Sequence, residues 1–330
     1  MTGLELARRY WETCGVPMIQ ESFPEYEEII AAALTGSGSE CYGFDDEVSR
    51  DHDFEPGFCL FIPGEEIVDR RTAFLLERAY AKLPKEFMGL SRSLMSPVGG
   101  ARRGVLRTEE FLADRLGADP AGRLLGAAGS AEASPETAPL TDREWLTIPE
   151  QSLLEVTGGE VFSDPYQEIA RVRAALAFYP ERIRLKKLAG HLLLMAQAGQ
   201  YNYQRCIRHG ESAAAQLAVF EFTRSAIAAI FLLNRRYQPY YKWSFRALRG
   251  LEKLSLEAEL LEFLITSGND DEMAEEKYNV IEGIAADIID ELMEQNLTKA
   301  VCGDLEKHAY SVNDGIQEAE LRNLHILAAV

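Results

Sequence analysis

Past Pro165 the chain changes texture, and this change narrows the folds open to it more than any other feature. From there on, apolar residues recur at helical spacing in successive stretches, roughly 166–178, 181–199, 203–235, 241–265, 272–296 and 314–328. The stretch at 272–296 is the clearest: Val280, Ile281, Ile284, Ile288, Ile289 and Leu292 form the stripe of a helix with one buried face. Before Pro165, helix-like and strand-like segments alternate.

"LELARRYWETCG" and "GEEIVDRRTAFLLERAYAKL" read as amphipathic helices, the second from about Glu65 to Leu83. "DHDFEPGFCLFIP" predicts strand on both sides of a Pro56-Gly57 bend. "SLLEVTGGEVFSDP" reads as a short helix, a Gly-Gly turn and a strand. The expected fold class is therefore α+β: residues 1–166 form a mixed sheet with helices, and 167–330 form an all-helical bundle domain. The Ala/Gly/Ser/Pro-rich stretch 116–140 is expected to be a mobile loop within the first domain.

Charge restricts function. The 330 residues carry a formal charge of −19, which repels a phosphodiester backbone and disfavours nucleic acid as a partner. A local basic pocket for one nucleotide is compatible with it. The five cysteines include no C-x-x-C pair, which argues against a structural zinc site and fits a reducing cytoplasm. No basic-then-apolar signal segment opens the chain. The longest apolar runs, such as "AIAAIFLL" at 226–233, are short of a membrane span, so no membrane association is expected.

The chemistry concentrates in "LTGSGSECYGFDDEVSRDHDFEPGFCLFI", residues 34–62. Residues two apart on a strand share a face, so Asp51 and Asp53 would project together while His52 and Phe54 turn into packing. A same-face pair of carboxylates suits Mg²⁺, which takes hard oxygen ligands and completes its shell with water and substrate phosphates. Upstream, Gly36, Ser37, Gly38 and Ser39 allow backbone N–H groups to approach an anion closely. If "SECYGFDDE" opens a helix, its N-terminus adds a favourable dipole. The alternative is an acidic surface hairpin that contains glycines. Asp45-Asp46-Glu47 reads as a helix start or surface cluster, with Asp45 able to order the loop.

Gly38-Ser39, a spacer of about eleven residues and Asp51-His52-Asp53 resemble the signature of the nucleotidyltransferase superfamily, of polymerase-beta-like fold. "GSGSECYGFDDEVSRDHDFEPGF", together with "RRYQPYYKW" at 235–243, is also similar to a bacterial family of unknown function within that superfamily. "GGEVFSDP" resembles the last sheet strand of bacterial antibiotic nucleotidyltransferases.

The resemblance implies a nucleotidyltransferase-type mixed sheet, a helical domain closing the nucleotide cleft, and one or two Mg²⁺ ions on Asp51 and Asp53. It further implies an NTP co-substrate, with Gly38 and Ser39 on the β,γ-phosphates and Lys242 on the leaving pyrophosphate. The acceptor would be a small molecule. Family members commonly draw a third carboxylate from a neighbouring strand, but the equivalent segment here, Gly104 to Thr108, has none, and Glu109 and Glu110 look like a helix start capped by Thr108. A base from the helical domain, Glu211 or Glu221, is one substitute; a nucleotide-binding protein without turnover is another reading.

Several residues keep two readings. Lys242 between Tyr241 and Trp243 is either a triphosphate ligand or a lysine lying over aromatic surface. Arg208 and Arg224 either face a nucleotide or end solvated helices. Tyr237, Tyr240, His191 and His52 read as packing residues. A phosphohydrolase built on "DHD" would want more histidines near the site than the five scattered ones supply.

Overall fold

The computed structural model describes residues 1–48, 54–92, 103–126 and 133–330. The chain forms two compact units: Met1–Leu140 with Ser152–Ala177, and Thr141–Gln151 with Phe178–Val330.

The first unit opens with α1 (Gly3–Tyr10), a five-residue π turn (Trp11–Gly15) and α2 (Val16–Ser22). Thr2 and Glu5 form a reciprocal capping box that fixes the start of α1. The strand β1 (Ala31–Leu34) follows, then β2 (Cys59–Ile62), α3 (Arg70–Lys82) and the small hairpin of β3 (Glu86–Phe87) and β4 (Leu90–Ser91). Next come β5 (Gly104–Arg107), α4 (Thr108–Leu116) and α5 (Ala118–Gly126). After α6 (Asp142–Thr147), which belongs to the second unit, and α7 (Glu150–Thr157), the strand β6 (Glu160–Ser163) and α8 (Glu168–Ala175) close the first unit.

The sheet has the order β5-β2-β1-β6, antiparallel except for the parallel β2/β5 pair, so the α+β class holds. Three alanines build most of β1, a composition with weak strand preference. Burial decides: every β1 residue is buried, and the strand lies between β2 on one side and β6 on the other. One sheet face packs Phe58, Leu60 and Ile62 against Tyr10, Trp11, Leu76 and Tyr80. Phe58 stacks edge-on with Trp11 and Tyr80 at centroid distances of 5.2 and 5.1 Å. The Tyr80 hydroxyl accepts the Phe58 N–H at 3.0 Å and donates to the Phe58 carbonyl at 2.7 Å, fixing the chain just before β2.

The second unit contains α9 (Glu181–Met195), a π segment (Ala196–Tyr203), α10 (Gln204–Arg208), α11 (Ser212–Leu233), α12 (Tyr241–Leu248), α13 (Glu257–Thr266), α14 (Asp271–Glu294), α15 (Leu305–Asp314) and α16 (Ala319–Asn323). At its centre α9 is buried on nearly every face, so its cations must find partners inside. Lys186 Nζ donates to Asn313 Oδ1, Arg322 O and Leu324 O at 2.9, 3.2 and 2.7 Å.

Several expectations need correction. The division at 166/167 lies instead at Ala177/Phe178, because α8 buries Ile169 and Val172 in the first unit. The segment Thr141–Gln151 belongs to the helical unit, where the fully buried Trp145 meets Tyr179 edge-on at 6.0 Å. Within the supposed loop 116–140, residues 118–126 are helical and bury Pro120, Ala121 and Leu124. Pro120 fits because the first helical turn has no use for its missing N–H.

The stretch 203–235 breaks at Gly210, whose φ is 72, and 241–265 divides into α12 and α13. The helix expected at 314–328 gives way to α15, which ends at Asp314, and to single turns beyond it. Ser212–Leu233 is long and apolar enough to cross a membrane by length and composition, which the shorter reading of 226–233 missed; 67% of its most apolar window is buried.

Candidate functional site

At the end of β1 the chain leaves the sheet through Thr35-Gly36-Ser37-Gly38-Ser39. Thr35 is buried, and its hydroxyl lies 2.6 Å from Glu155 O and 3.0 Å from Gly158 O. Gly36 turns with φ 119, a conformation that a side chain would strain. The turn then enters a single 3-10 turn, Ser39–Tyr42, ended by Gly43 at φ 70. The condition that "SECYGFDDE" open a helix is not met: one 3-10 turn supplies no such macrodipole, so the dipole contribution drops out.

The N–H groups remain. Among the described residues, those of Gly36, Ser37, Gly38 and Ser39 make no hydrogen bond, although Gly36 and Gly38 are buried. A run of successive free N–H groups in a concave turn attracts anions, and leaving such groups buried without an acceptor is costly.

The α7–β6 turn holds this segment from behind. Gly159 N–H donates to Cys41 O at 2.9 Å, and Arg173 donates from Nε to Val156 O at 3.0 Å and from Nη2 to Gly158 O at 2.5 Å. Asp45 Oδ2 accepts the Gly3 N–H at 2.7 Å, so the acid cluster does order the loop, by tying it to α1.

Two arginines flank the turn. Arg103 Nη1 donates to Glu55 at 2.9 Å, and its Nη2 lies 3.6 Å from Glu40. The Glu40 carboxyl fills the space that a Cβ on Gly38 would need. Arg115, on α4, lies over the Phe111 ring at 3.9 Å with its Nε 3.3 Å from Glu155. Sequence reasoning passed over Arg115 because it sits in an ordinary amphipathic helix. Burial pushes the Cys59 thiol up to about 11 and the Cys41 thiol up as well, which removes both as nucleophiles.

Asp51, His52, Asp53 and Arg50 lie outside the described residues. Of the strand expected on both sides of Pro56-Gly57, the far side is β2, and Phe54 and Glu55 form no strand pairing. Among the described residues no group of three or more His, Cys, Asp or Glu could hold a metal ion. The strand β5 carries no acid, and Glu109 and Glu110 stand in the first turn of α4, whose N-cap is Arg107 rather than Thr108.

The candidates in the helical unit are spread over its elements. Lys242 is exposed, with Nζ 4.9 Å from the Trp243 ring centroid. Arg208 on α10 is exposed and donates to Gln204 at 3.0 Å. Glu211 is exposed at the approach to α11, and Glu221 and Arg224 pair with each other one turn apart at 3.1 Å. Tyr237 packs edge-on against Tyr179 at 5.0 Å, as expected of a core aromatic, whereas Tyr240 is exposed beside Tyr241.

A buried polar group in this unit gave no signal in the sequence. Glu150 Oε1 accepts the Gln238 N–H at 2.7 Å, and Lys187 Nζ lies over the Tyr179 ring at 5.1 Å. Burial raises the Glu150 carboxyl to about 7, against the pull of Gln238 and Lys187, and lowers Lys187. Burial together with the charge of Lys187 holds His191 at about 3, so it is neutral and structural.

A family profile described as "Domain of unknown function (DUF4037)" matches residues 145–244. The matched segment contains "RRYQPYYKW" and excludes the Gly/Ser turn. No curated protein matches. Among solved structures, the chain is similar to a nucleotidyltransferase-like protein from Exiguobacterium sibiricum 255-15, with 12% identity and a TM-score of 0.36, over 90% of this chain and 79% of that one.

Proposed function

We propose that the protein is a Mg²⁺-dependent nucleotidyltransferase that moves a nucleoside monophosphate from an NTP to a hydroxyl of a small acceptor. The observation that carries this reading is the row of unpaired N–H groups from Gly36 to Ser39 at the end of β1, a seat for phosphate oxygens. Gly38 and Ser39 contact the β,γ-phosphates. The acceptor oxygen bonds to the α-phosphorus, the bond from that phosphorus to the bridging oxygen breaks, and pyrophosphate leaves with the electron pair. The hydroxyl proton passes to a carboxylate base.

Asp51 and Asp53 supply hard oxygen donors two residues apart, which suits Mg²⁺, and they would hold it. When bound, the ion polarises the phosphoryl oxygens and lowers the pKa of the attacking hydroxyl. A second reading, nucleotide binding without turnover, is favoured by the absence of any acid on β5.

Thermal unfolding with each of four NTPs, with and without Mg²⁺, tests both. Stabilisation by at least one NTP in the presence of Mg²⁺, lost in the double variant Asp51→Asn and Asp53→Asn, is the expected result. No stabilisation by any NTP would sink both readings. Pyrophosphate release with a hydroxyl acceptor then separates the enzyme from the binding protein.

A further inference from the structure

We propose that Arg115 is the cation of the phosphate seat and binds the polyphosphate chain opposite the N–H groups of Gly36 to Ser39. This rests on the nucleotide-binding reading above and names a residue that the motif does not contain.

The Arg115 side chain is mostly buried, at 21% exposure, yet it is poorly satisfied. Nη1 donates to Phe111 O at 3.1 Å. Nε faces Glu155 at 3.3 Å without a hydrogen bond, and Nη2 has no partner. The guanidinium is half-buried: Nε is buried without a hydrogen bond, which is costly, and Nη2 is left open to an incoming acceptor.

Position says where the acceptor goes. A Cβ built on Gly36 would lie 4.0 Å from Arg115 Nη2, which places the guanidinium beside the free N–H groups. The Phe111 ring beneath it at 3.9 Å fixes its plane, and the planar fork presents paired donors to phosphate oxygens. Glu155 holds the cation in place before an anion binds, and its own backbone carbonyl meets the Thr35 hydroxyl at 2.6 Å. One residue thus touches both the cation and the turn. An incoming phosphate competes with the Glu155 carboxylate for Arg115.

The chemistry fits the phosphate chain of an NTP or a free inorganic polyphosphate, and calorimetry separates them. Wild-type protein and the variants Arg115→Met, Arg115→Lys and Glu155→Gln are titrated with Mg²⁺-NTP and, in chelator, with sodium tripolyphosphate. Arg115→Met is expected to weaken tripolyphosphate binding about tenfold or more, and Arg115→Lys to restore part of it. Glu155→Gln preserves shape and removes the competing charge, so it is expected to tighten tripolyphosphate binding a few-fold, an effect that a merely structural role for Arg115 would not produce.

NTP binding that is indifferent to Arg115→Met and Glu155→Gln overturns the proposal and leaves the nucleotidyltransferase reading standing. Arg115-dependent tripolyphosphate binding without NTP binding does the reverse. Wild-type protein that binds neither overturns both.

Discussion

At Gly159 the backbone turns with φ 70, and a Cβ placed there would sit against the Leu34 carbonyl. Gly159→Ala is therefore expected to cost ~2–4 kcal/mol in chemical denaturation, from left-handed strain plus overpacking. Unfolding midpoints within error of wild type would refute this. Glu150 makes a different kind of prediction. Its carboxyl keeps a proton up to about 7 in the fold, against 4.5 for the ordinary side chain, so the native state binds more protons between those values. Its contribution is favourable at low pH and is lost as pH rises through about 7. Glu150→Gln retains an acceptor for the Gln238 N–H, so the variant should gain on wild type by on the order of 1–3 kcal/mol at pH 8 and by little at pH 5. An equal difference at both pH values would refute it. At this scale the Gly/Ser turn was legible because its composition is unusual. Arg115, Glu150 and Lys187 were not, since each is an ordinary residue on an ordinary helix and becomes special through neighbours far away in sequence.

Among the elements, α9 is the one whose sequence is hardest to read. A helix carrying Arg182, Arg184, Lys186 and Lys187 looks half-solvated, yet Arg184, Lys186 and Lys187 are all buried. Removing one of these cations leaves buried acceptors behind. Lys186→Met is expected to cost ~2–4 kcal/mol, because Asn313 Oδ1 and Leu324 O lose the Lys186 donor together and Arg322 O keeps only Asn313 Nδ2. A change below ~1 kcal/mol in urea titration would show that those acceptors find other partners. Periodicity recovered α3 and α14 within a few residues, and the Gly-Gly turn between α7 and β6 was read correctly. It could not recover β1, where three alanines are strand only because β2 and β6 enclose them. It could not place breaks inside long helical runs either, since Gly210 is one glycine among many.

For the whole molecule, the composition switch near Pro165 announced two parts but not where the chain divides. The division is discontinuous: 141–151 belongs to the helical unit and 152–177 to the sheet unit. A fragment of residues 1–140 therefore lacks β6 and leaves the outer edge of β1 unpaired. Such a fragment is expected to aggregate or to show fast amide exchange in β1; protected β1 amides in a soluble 1–140 fragment would contradict this.

The same wiring bears on the order in which the protein can become functional during synthesis. The Thr35 hydroxyl is anchored to Glu155 O, 120 residues further along, and the turn containing Gly158 is itself held by Arg173. Long sequence separations of this kind close late, because loop entropy must be overcome first. The Gly/Ser turn leaves the ribosome early, yet its anchors follow more than a hundred residues later. Until they arrive, the nascent chain carries the motif without the shape.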